Sequence, residues 1–283
     1  SQSSISNDYF YIDDLNNNPS IYLISNISFT DSNQFDISGI PSRGDGFQIT
    51  YNFDIPTRVT PKHPFLVVKN KELMKSEWCE AKNININDLI NIPIPVYEKD
   101  YELYDASDCY FYGIMMKYGN INELNQCCIT TDNIYHVESI KKYLDLQLIK
   151  YTTSVKNNIC SIEWSLSSKF KFSKNQFYND NSKKFDKIIL NLPLDKSKWM
   201  LKSIIDTNDM TITMSSLTLL ESIKYLLLRM GVLTSGYLTK STEMDSVKPI
   251  WVLNIPMTKE ICDLLQIKND NYVEFIRNGD ILY

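Results

Sequence analysis

The sequence has few of the residues that build common metal sites and disulfide frameworks. It contains two histidines, His63 and His136, among 283 residues, so a histidine-rich metal site is poorly supported. Its six cysteines form no CxxC pair and show no regular spacing. This pattern argues against a zinc ribbon or a disulfide framework and favours reduced thiols in an intracellular protein.

Long apolar runs are missing as well. No stretch of about 18 apolar residues occurs, which argues against a transmembrane helix and a membrane partner. The N-terminus shows no basic start followed by an apolar stretch, so no signal peptide is expected. The net charge of −5 argues against strong non-specific DNA binding by the whole chain but leaves room for a local basic face.

The residues that are present predict two regions of different character. Residues 1–100 contain short strand-like segments at 21–29, 47–53 and 58–68, separated by turn signals. The third segment is interrupted by Pro61 and Pro64, so it is expected to form two extended pieces joined by a turn. This part of the chain therefore predicts a small all-β domain.

Beyond residue 101 the pattern becomes helical. Helices are predicted at 108–118, 133–149, 196–206 and 215–230, whereas residues 162–172 alternate as a strand would. Serines begin the last helix and Gly231 ends it. The tetrapeptide that starts at Glu138 recurs at Glu221 in a second helix, which indicates two copies of one α/β unit related by a pseudo-two-fold axis.

One segment resembles a known splicing fold. The run from Arg58 to Val67, RVTPKHPFLV, resembles the T-x-x-H block of inteins and Hedgehog-type proteins. Downstream, the stretches beginning at Trp78 and Asp88 resemble the next strands of that fold, and residues 278–283 resemble the point where inteins re-enter the splicing domain. The resemblance implies autocatalytic protein splicing.

The splicing resemblance assigns three candidate catalytic residues. Ser1 is the candidate nucleophile for the first acyl shift, His63 the donor that protonates the departing nitrogen, and Thr60 a residue that helps to hold the peptide. Each has a plainer interpretation, since Ser1 also fits a polar tail and His63 a turn between two prolines. The terminal His-Asn pair that the family needs is absent, so a C-terminal segment is expected on a separate chain or outside this sequence.

A second resemblance covers the region between the splicing segments. Residues 111–119 and 201–209 resemble the two motifs of LAGLIDADG homing endonucleases, whose helices pack face to face through small residues, here Gly113 and Ser203. The positions that hold the family's metal-binding acids carry Tyr118 and Asn208, which are poor Mg²⁺ ligands. We therefore expect no DNA cleavage. A one-residue shift would bring in Asp209, and both helices also fit ordinary core helices without nuclease ancestry.

Lysines interleaved with aromatic residues lie between the two motifs. They suggest the remnant of a DNA-reading sheet, although a solvated strand face explains them as well. The candidates for DNA binding are Lys169, Lys171, Lys174, Lys183 and Lys184, with Lys187 nearby.

Together these patterns predict an α+β protein of two domains. One is an all-β, horseshoe-like Hint splicing domain, formed by residues 1–100 with a return at 261–283. The other is a pseudo-two-fold αββαββα domain of the LAGLIDADG type at 101–260. The expected function is that of a monomeric, intracellular intein that acts on its flanking host sequences and needs no cofactor, with Mg²⁺ required only if the endonuclease is active. The alternatives are a homing endonuclease or protein binding double-stranded DNA, and a structural or binding module without catalysis.

Overall fold

The computed structural model describes most of the chain beyond residue 18. The described residues are 19–30, 46–51, 57–70, 72–73, 75–85, 88–167, 169–179, 182–205, 210–241, 248–269, 271–273, 277–278 and 281–282. All six cysteines fall within them and are free thiols, as predicted. Across these ranges, no helix combines the length and apolarity that a bilayer-spanning segment needs.

Strands make up much of the described chain. In chain order they are β1 (Pro19–Thr30), β2 (Gly46–Tyr51), β3 (Thr57–Val59), β4 (Pro64–Val68), β5 (Ser76–Glu80), β6 (Leu89–Pro93), β7 (Gly119–Ile121), β8 (Gln126–Thr131), β9 (Tyr151–Lys156), β10 (Ile159–Ser165), β11 (Tyr178–Asn179), β12 (Ser182–Lys183), β13 (Thr211–Met214), β14 (Ser235–Ser241), β15 (Lys248–Asn254), β16 (Arg277–Asn278) and β17 (Ile281–Leu282).

Several helices begin at polar residues that cap their first turns. Asp105, Asn133 and Ser216 each accept a hydrogen bond from a backbone N–H of the helix that follows, which satisfies donors that lack an intrahelical partner. The described helices are α1 (Ala106–Tyr118), α2 (Ile134–Leu146), α3 (Lys187–Leu190), α4 (Leu194–Ile204), α5 (Leu217–Arg229) and α6 (Lys259–Leu265). The four helices expected from the sequence correspond to α1, α2, α4 and α5.

The chain divides into two compact units, and the first is built on the N-terminal strands. It comprises residues 1–96, 213–261 and 269–283. Its main sheet has the order β16-β17-β1-β6-β4-β5, with β2 pairing to β1 and β3 to β2. The two extended pieces predicted around Pro61 are β3 and β4. The chain returns to this sheet at its C-terminal end, where Leu282 of β17 pairs in parallel with Ser20 of β1.

The core of the first unit joins sheet residues to the end of a helix. Leu228 of α5 and Leu233, which follows it, pack with buried side chains of the N-terminal strands. Gly231 lies between them with a positive φ of 75°, a conformation that favours glycine at a helix end. The strand-side members of this cluster are Val67, Cys79, Ala81, Ile84, Ile90 and Ile94.

The second unit combines α1 and α4 with an antiparallel sheet. It comprises residues 97–212 and 262–268, and its four-stranded sheet has the order β7-β8-β10-β9. The sheet alternates strictly along β8 and β10, since Cys127, Ile129, Ile162 and Trp164 are buried on one side. The mixed α+β class predicted from the sequence is therefore observed, with helices beside open, mainly antiparallel sheets.

Element order repeats along the chain, as the recurring tetrapeptide suggested. The first copy has the order α1, β7, β8, α2, β9 and β10, and the second has the order α4, β13, α5, β14 and β15. Apart from β7, the described elements follow one another alike in both copies. The strands are arranged alike in both copies, β8-β10-β9 in one sheet and β13-β15-β14 in the other. This internal repeat is confirmed, whereas its two-fold symmetry remains a prediction.

The prediction of a strand over residues 162–172 is wrong beyond Ser165, where β10 ends. Phe170 and Phe172 are buried, and the Phe170 ring lies 5.7 Å from Phe111 of α1 while the Phe172 ring lies 5.4 Å from Tyr112. The alternating pattern thus arises from a loop that packs its aromatic residues against a helix rather than from a hydrogen-bonded strand. The domain limits 1–100, 101–260 and 261–283 stay a prediction, because compact units group residues by contact and not by ancestry.

Candidate helix-pair site and splicing turn

Helix α1 is anchored at its N-terminal end by a buried carboxylate. Asp108 accepts hydrogen bonds from the Tyr143 hydroxyl at 2.7 Å, the Lys171 ammonium at 2.6 Å and the backbone N–H of Asp105 at 2.8 Å. Asp108 is only 1% exposed, so these partners replace the water it loses on folding. Burial, together with the charge of Asp108, raises the pKa of Tyr143 and keeps its hydroxyl protonated as the donor.

The middle of α1 packs directly on α4 through two small residues. A Cβ built at Gly113 would lie 2.1 Å from the Ser203 Oγ and 2.6 Å from the Met200 carbonyl oxygen. The Ser203 hydroxyl turns back to donate to that same carbonyl at 2.8 Å. The prediction that these helices meet face to face through Gly113 and Ser203 is confirmed.

At the C-terminal ends of the pair, lysine ammonium groups contact the last helical carbonyls. The Lys183 Nζ donates to the carbonyls of Met115 and Met116, each at 3.1 Å, and to that of Gly119. Burial lowers the pKa of Lys183 to about 8, which still leaves it charged at neutral pH. On the other helix, the Lys117 Nζ donates to the Ile204 carbonyl at 2.7 Å.

Tyr118 is the last residue of α1, at the position where the nuclease resemblance implies an acid. Its ring lies 5.3 Å from that of His136, and the Lys117 Nζ lies 4.8 Å from the Tyr118 ring centroid. Asn208 lies outside the described residues, as do Asp206 and Asp209. Within the described part of the chain, no three His, Cys, Asp or Glu side chains gather as a metal site would require.

The lysines predicted to bind DNA have different surroundings. Lys171 pairs with Asp108 and Lys183 with helix carbonyls, so both already serve the packing around α1. The Lys174 Nζ donates to the carbonyl of Asn122, beside the turn between β7 and β8. Lys169 is exposed and Lys184 half-buried. Binding of DNA by these five residues stays a prediction.

The splicing residues that are described lie in one turn between β3 and β4. The His63 N–H donates to the Thr60 carbonyl at 3.0 Å, and the His63 carbonyl accepts from the Ala81 N–H at 2.9 Å. Thr60 and His63 are exposed, and the His63 ring lies edge-on to Phe65 at 5.1 Å. Ser1 lies outside the described residues, so its distance from this turn is not part of the observed geometry.

The sequence analysis did not predict the outward face of the four-stranded sheet as a candidate binding surface. Register pairs Glu163 of β10 with Cys128 of β8 and with Thr152 of β9, so these side chains share the face opposite the buried one. Alternation along residues 126–131 is the signal that would have found it. This face, hereafter the polar sheet face, carries mostly amide and hydroxyl groups. Its residues are Asn120, Gln126, Cys128, Thr130, Thr152, Ser154, Lys156, Ile159, Ser161, Glu163 and Ser165.

Comparison with known proteins finds similarity only among solved structures. No known family profile and no curated protein sequence matches the chain. A mesophilic variant of the homing endonuclease I-DmoI is 15% identical, with a TM-score of 0.43, over 60% of this chain and 100% of that one. The homing endonuclease I-WcaI bound to its DNA recognition sequence is 13% identical, with a TM-score of 0.38, over 59% and 81%.

Full-length DUF199/WhiA from Thermotoga maritima is 8% identical, with a TM-score of 0.38, over 59% of this chain and 56% of that one. I-DmoI itself has been solved in complex with DNA and Ca or Mn. Identities this low do not identify a shared family, so the functional assignment rests on the contacts within the chain.

Proposed function

We propose that this chain binds double-stranded DNA through a LAGLIDADG-type module that no longer cleaves it. The observation that carries the proposal is the close approach of α1 and α4 at Gly113 and Ser203, with Tyr118 rather than a carboxylate ending α1. A phenol and two neighbouring ammonium groups offer no anionic ligand for a divalent cation.

The polar sheet face supports DNA as the ligand. Amide and hydroxyl groups donate and accept hydrogen bonds as base edges in the major groove do, and that groove admits a β-ribbon. Thr130 and Ser161 hydroxyls lie 3.2 Å apart across the strands, so the face is an ordered array and not a set of separate side chains. Lys156 on the face and Lys174 beside it supply positive charge for phosphates.

Adjacent threonines on β9 provide a matched test of this face. Thr152 pairs with Glu163 on the polar sheet face, whereas Thr153 pairs with Ile162 on the opposite side, and both threonines are exposed. We expect Thr152→Glu to weaken binding to duplexes selected from a random library roughly tenfold, because it adds a charge that repels phosphates. Thr153→Glu should bind as the wild type does, as measured by fluorescence anisotropy.

The same selected duplexes test the absence of cleavage. Incubation with Mg²⁺ should leave both strands intact on a denaturing gel. Specific nicking would contradict the inactive assignment, and failure to enrich any duplex sequence would contradict DNA binding itself.

Protein splicing is a second candidate, supported by a different observation. The C-terminal strand β17 pairs with β1, so the chain leaves the N-terminal sheet and comes back to it, as an interrupted splicing domain requires. The Thr60 to His63 turn leaves the His63 imidazole exposed and therefore available to a scissile peptide. In this proposal Ser1 is the nucleophile, and the partners are the flanking host sequences and a C-terminal intein segment.

The neighbouring residue in the same turn provides a control for splicing. Co-expression with a C-terminal segment and flanking sequences should give a ligated product. His63→Ala should abolish N-terminal cleavage by a strong nucleophile, whereas Lys62→Ala, at an exposed position beside it, should not. Equal cleavage by both variants would remove His63 from the reaction.

A further inference from the structure

The ends of the helix pair do not fit the divalent metal that the nuclease resemblance implies. Carboxylate and carbonyl oxygens are the usual ligands of Mg²⁺ and Ca²⁺, and at this end several of the described carbonyls already have side-chain donors. The Met115 and Met116 carbonyls accept from Lys183, and the Ile204 carbonyl accepts from Lys117. The side chain that ends α1 is the phenol of Tyr118.

The number of donors matches the number of acceptors at Lys183. A protonated lysine has three N–H groups, and the Lys183 Nζ has three carbonyl partners, at Met115, Met116 and Gly119. These residues are buried, so water does not readily replace the ammonium as their donor. Lys183 comes from β12, distant in sequence, and therefore acts as a tertiary cap on α1.

Each helix of the pair has its own ammonium group at its C-terminal end. A helix C-terminus carries about half a negative charge from its aligned peptide dipoles. Lys183 supplies a positive charge to the end of α1, and Lys117, which belongs to α1, supplies one to the end of α4. Two helices that end side by side are thus neutralised by the protein's own side chains.

We propose that Lys183 and Lys117 are the built-in cations of this helix pair and that the pair takes no divalent metal. A metal ion entering here would meet two ammonium groups without an anionic ligand among the described residues, and like charges in a partly buried site repel strongly. The inference concerns the helix pair alone and holds whether or not the polar sheet face binds DNA.

Thermal unfolding of the full chain tests the proposal. After EDTA treatment, millimolar Mg²⁺ or Ca²⁺ should leave the wild-type Tm unchanged. Lys183→Met, which keeps the aliphatic stem but removes all three N–H donors, should lower the Tm by roughly 5 °C or more. Lys184→Met, at the half-buried neighbouring position, should lower it by less than about 2 °C.

Two results would overturn the proposal. One is a wild-type Tm that rises with Mg²⁺ or Ca²⁺ and falls again with EDTA, which needs no variant and so applies even if Lys183→Met does not fold. The other is a Lys183→Met protein as stable as Lys184→Met.

Discussion

The two ends of α1 are stabilised by charges of opposite sign, but in different ways. At the N-terminal end, Asp108 has a counter-ion in Lys171 and a phenol donor in Tyr143. At the C-terminal end, Lys183 donates to three backbone carbonyls, and burial lowers its pKa to about 8. A full counter-ion offsets the loss of water better than carbonyl dipoles do, so the first end should be the stronger anchor.

Removing the carboxylate at the N-terminal end should have the largest effect. Asp108→Ala leaves Lys171 and Tyr143 without their acceptor in a buried site, so the free energy of unfolding should fall by about 3–5 kcal/mol. Urea denaturation measures the change. Asp195→Ala is the matched control, because Asp195 lies in the first turn of α4 but is exposed. If both variants lose the same stability, the buried cluster is not what anchors α1.

The lysine at the C-terminal end of α1 should make the free energy of unfolding depend on pH. Because the folded pKa of Lys183 is lowered to about 8 from the ordinary 10.5, the unfolded chain binds more protons between these values. The wild-type free energy of unfolding should therefore rise with pH across this window, relative to Lys183→Met, by up to ~3 kcal/mol. Below about pH 8 the difference between the two proteins should be constant.

Denaturation in parallel series from pH 7 to about pH 11 checks this prediction, with Lys184→Met as the reference for a half-buried lysine. A stability difference that does not change with pH would mean that the carbonyls hold the Lys183 proton as firmly as water does. Lys183 would then be as well compensated for its loss of water as Asp108 is at the other end of α1.

In the middle of α1, close packing against α4 requires a residue without a Cβ at position 113. Gly113→Ala should reduce the free energy of unfolding by ~2 kcal/mol, since the new methyl group would meet the Met200 carbonyl at 2.6 Å. Ser203→Ala in the same chain should recover only part of this loss, because it removes the Oγ contact but not the carbonyl. A gain in stability, as expected for an exposed helical glycine, would show that the helices do not meet here.

Local rules predicted the elements that position this site. Serines precede the apolar helical pattern of α5, so this helix follows from local sequence, whereas the pairing of α1 with α4 through Gly113 and Ser203 was predicted from the resemblance to the LAGLIDADG motifs. Turn chemistry likewise predicted the break between β3 and β4 at Pro61. These features depend on neighbouring residues, which is why sequence reasoning finds them.

The partners of the lysines could not be predicted in the same way. Lys171 lies 63 positions from Asp108 in the sequence, and Lys183 lies 64 positions from Gly119. Lysines on a solvated basic face and lysines that bind a partner inside the fold have the same sequence pattern. The aromatic alternation up to Phe172 predicts a strand, but in the structure the alternating Phe170 and Phe172 belong to a loop that packs on α1. Contacts between residues that are distant in sequence determine both features, and the neighbouring residues do not indicate these contacts.

Loss of the ammonium group at the end of α4 should have the smallest effect. Lys117 is half-buried and has one carbonyl partner, Ile204 at 2.7 Å, so Lys117→Met should cost ~0.5–1 kcal/mol. Lys202→Met is the control, because Lys202 lies in the last turn of α4 itself but contacts the Trp199 ring, 4.8 Å from its Nζ. If Lys202→Met costs as much, proximity to the helix dipole alone explains the loss. If only Lys117→Met does, the carbonyl contact is the cause, and the contribution of an ammonium to this end depends on how many carbonyls it binds.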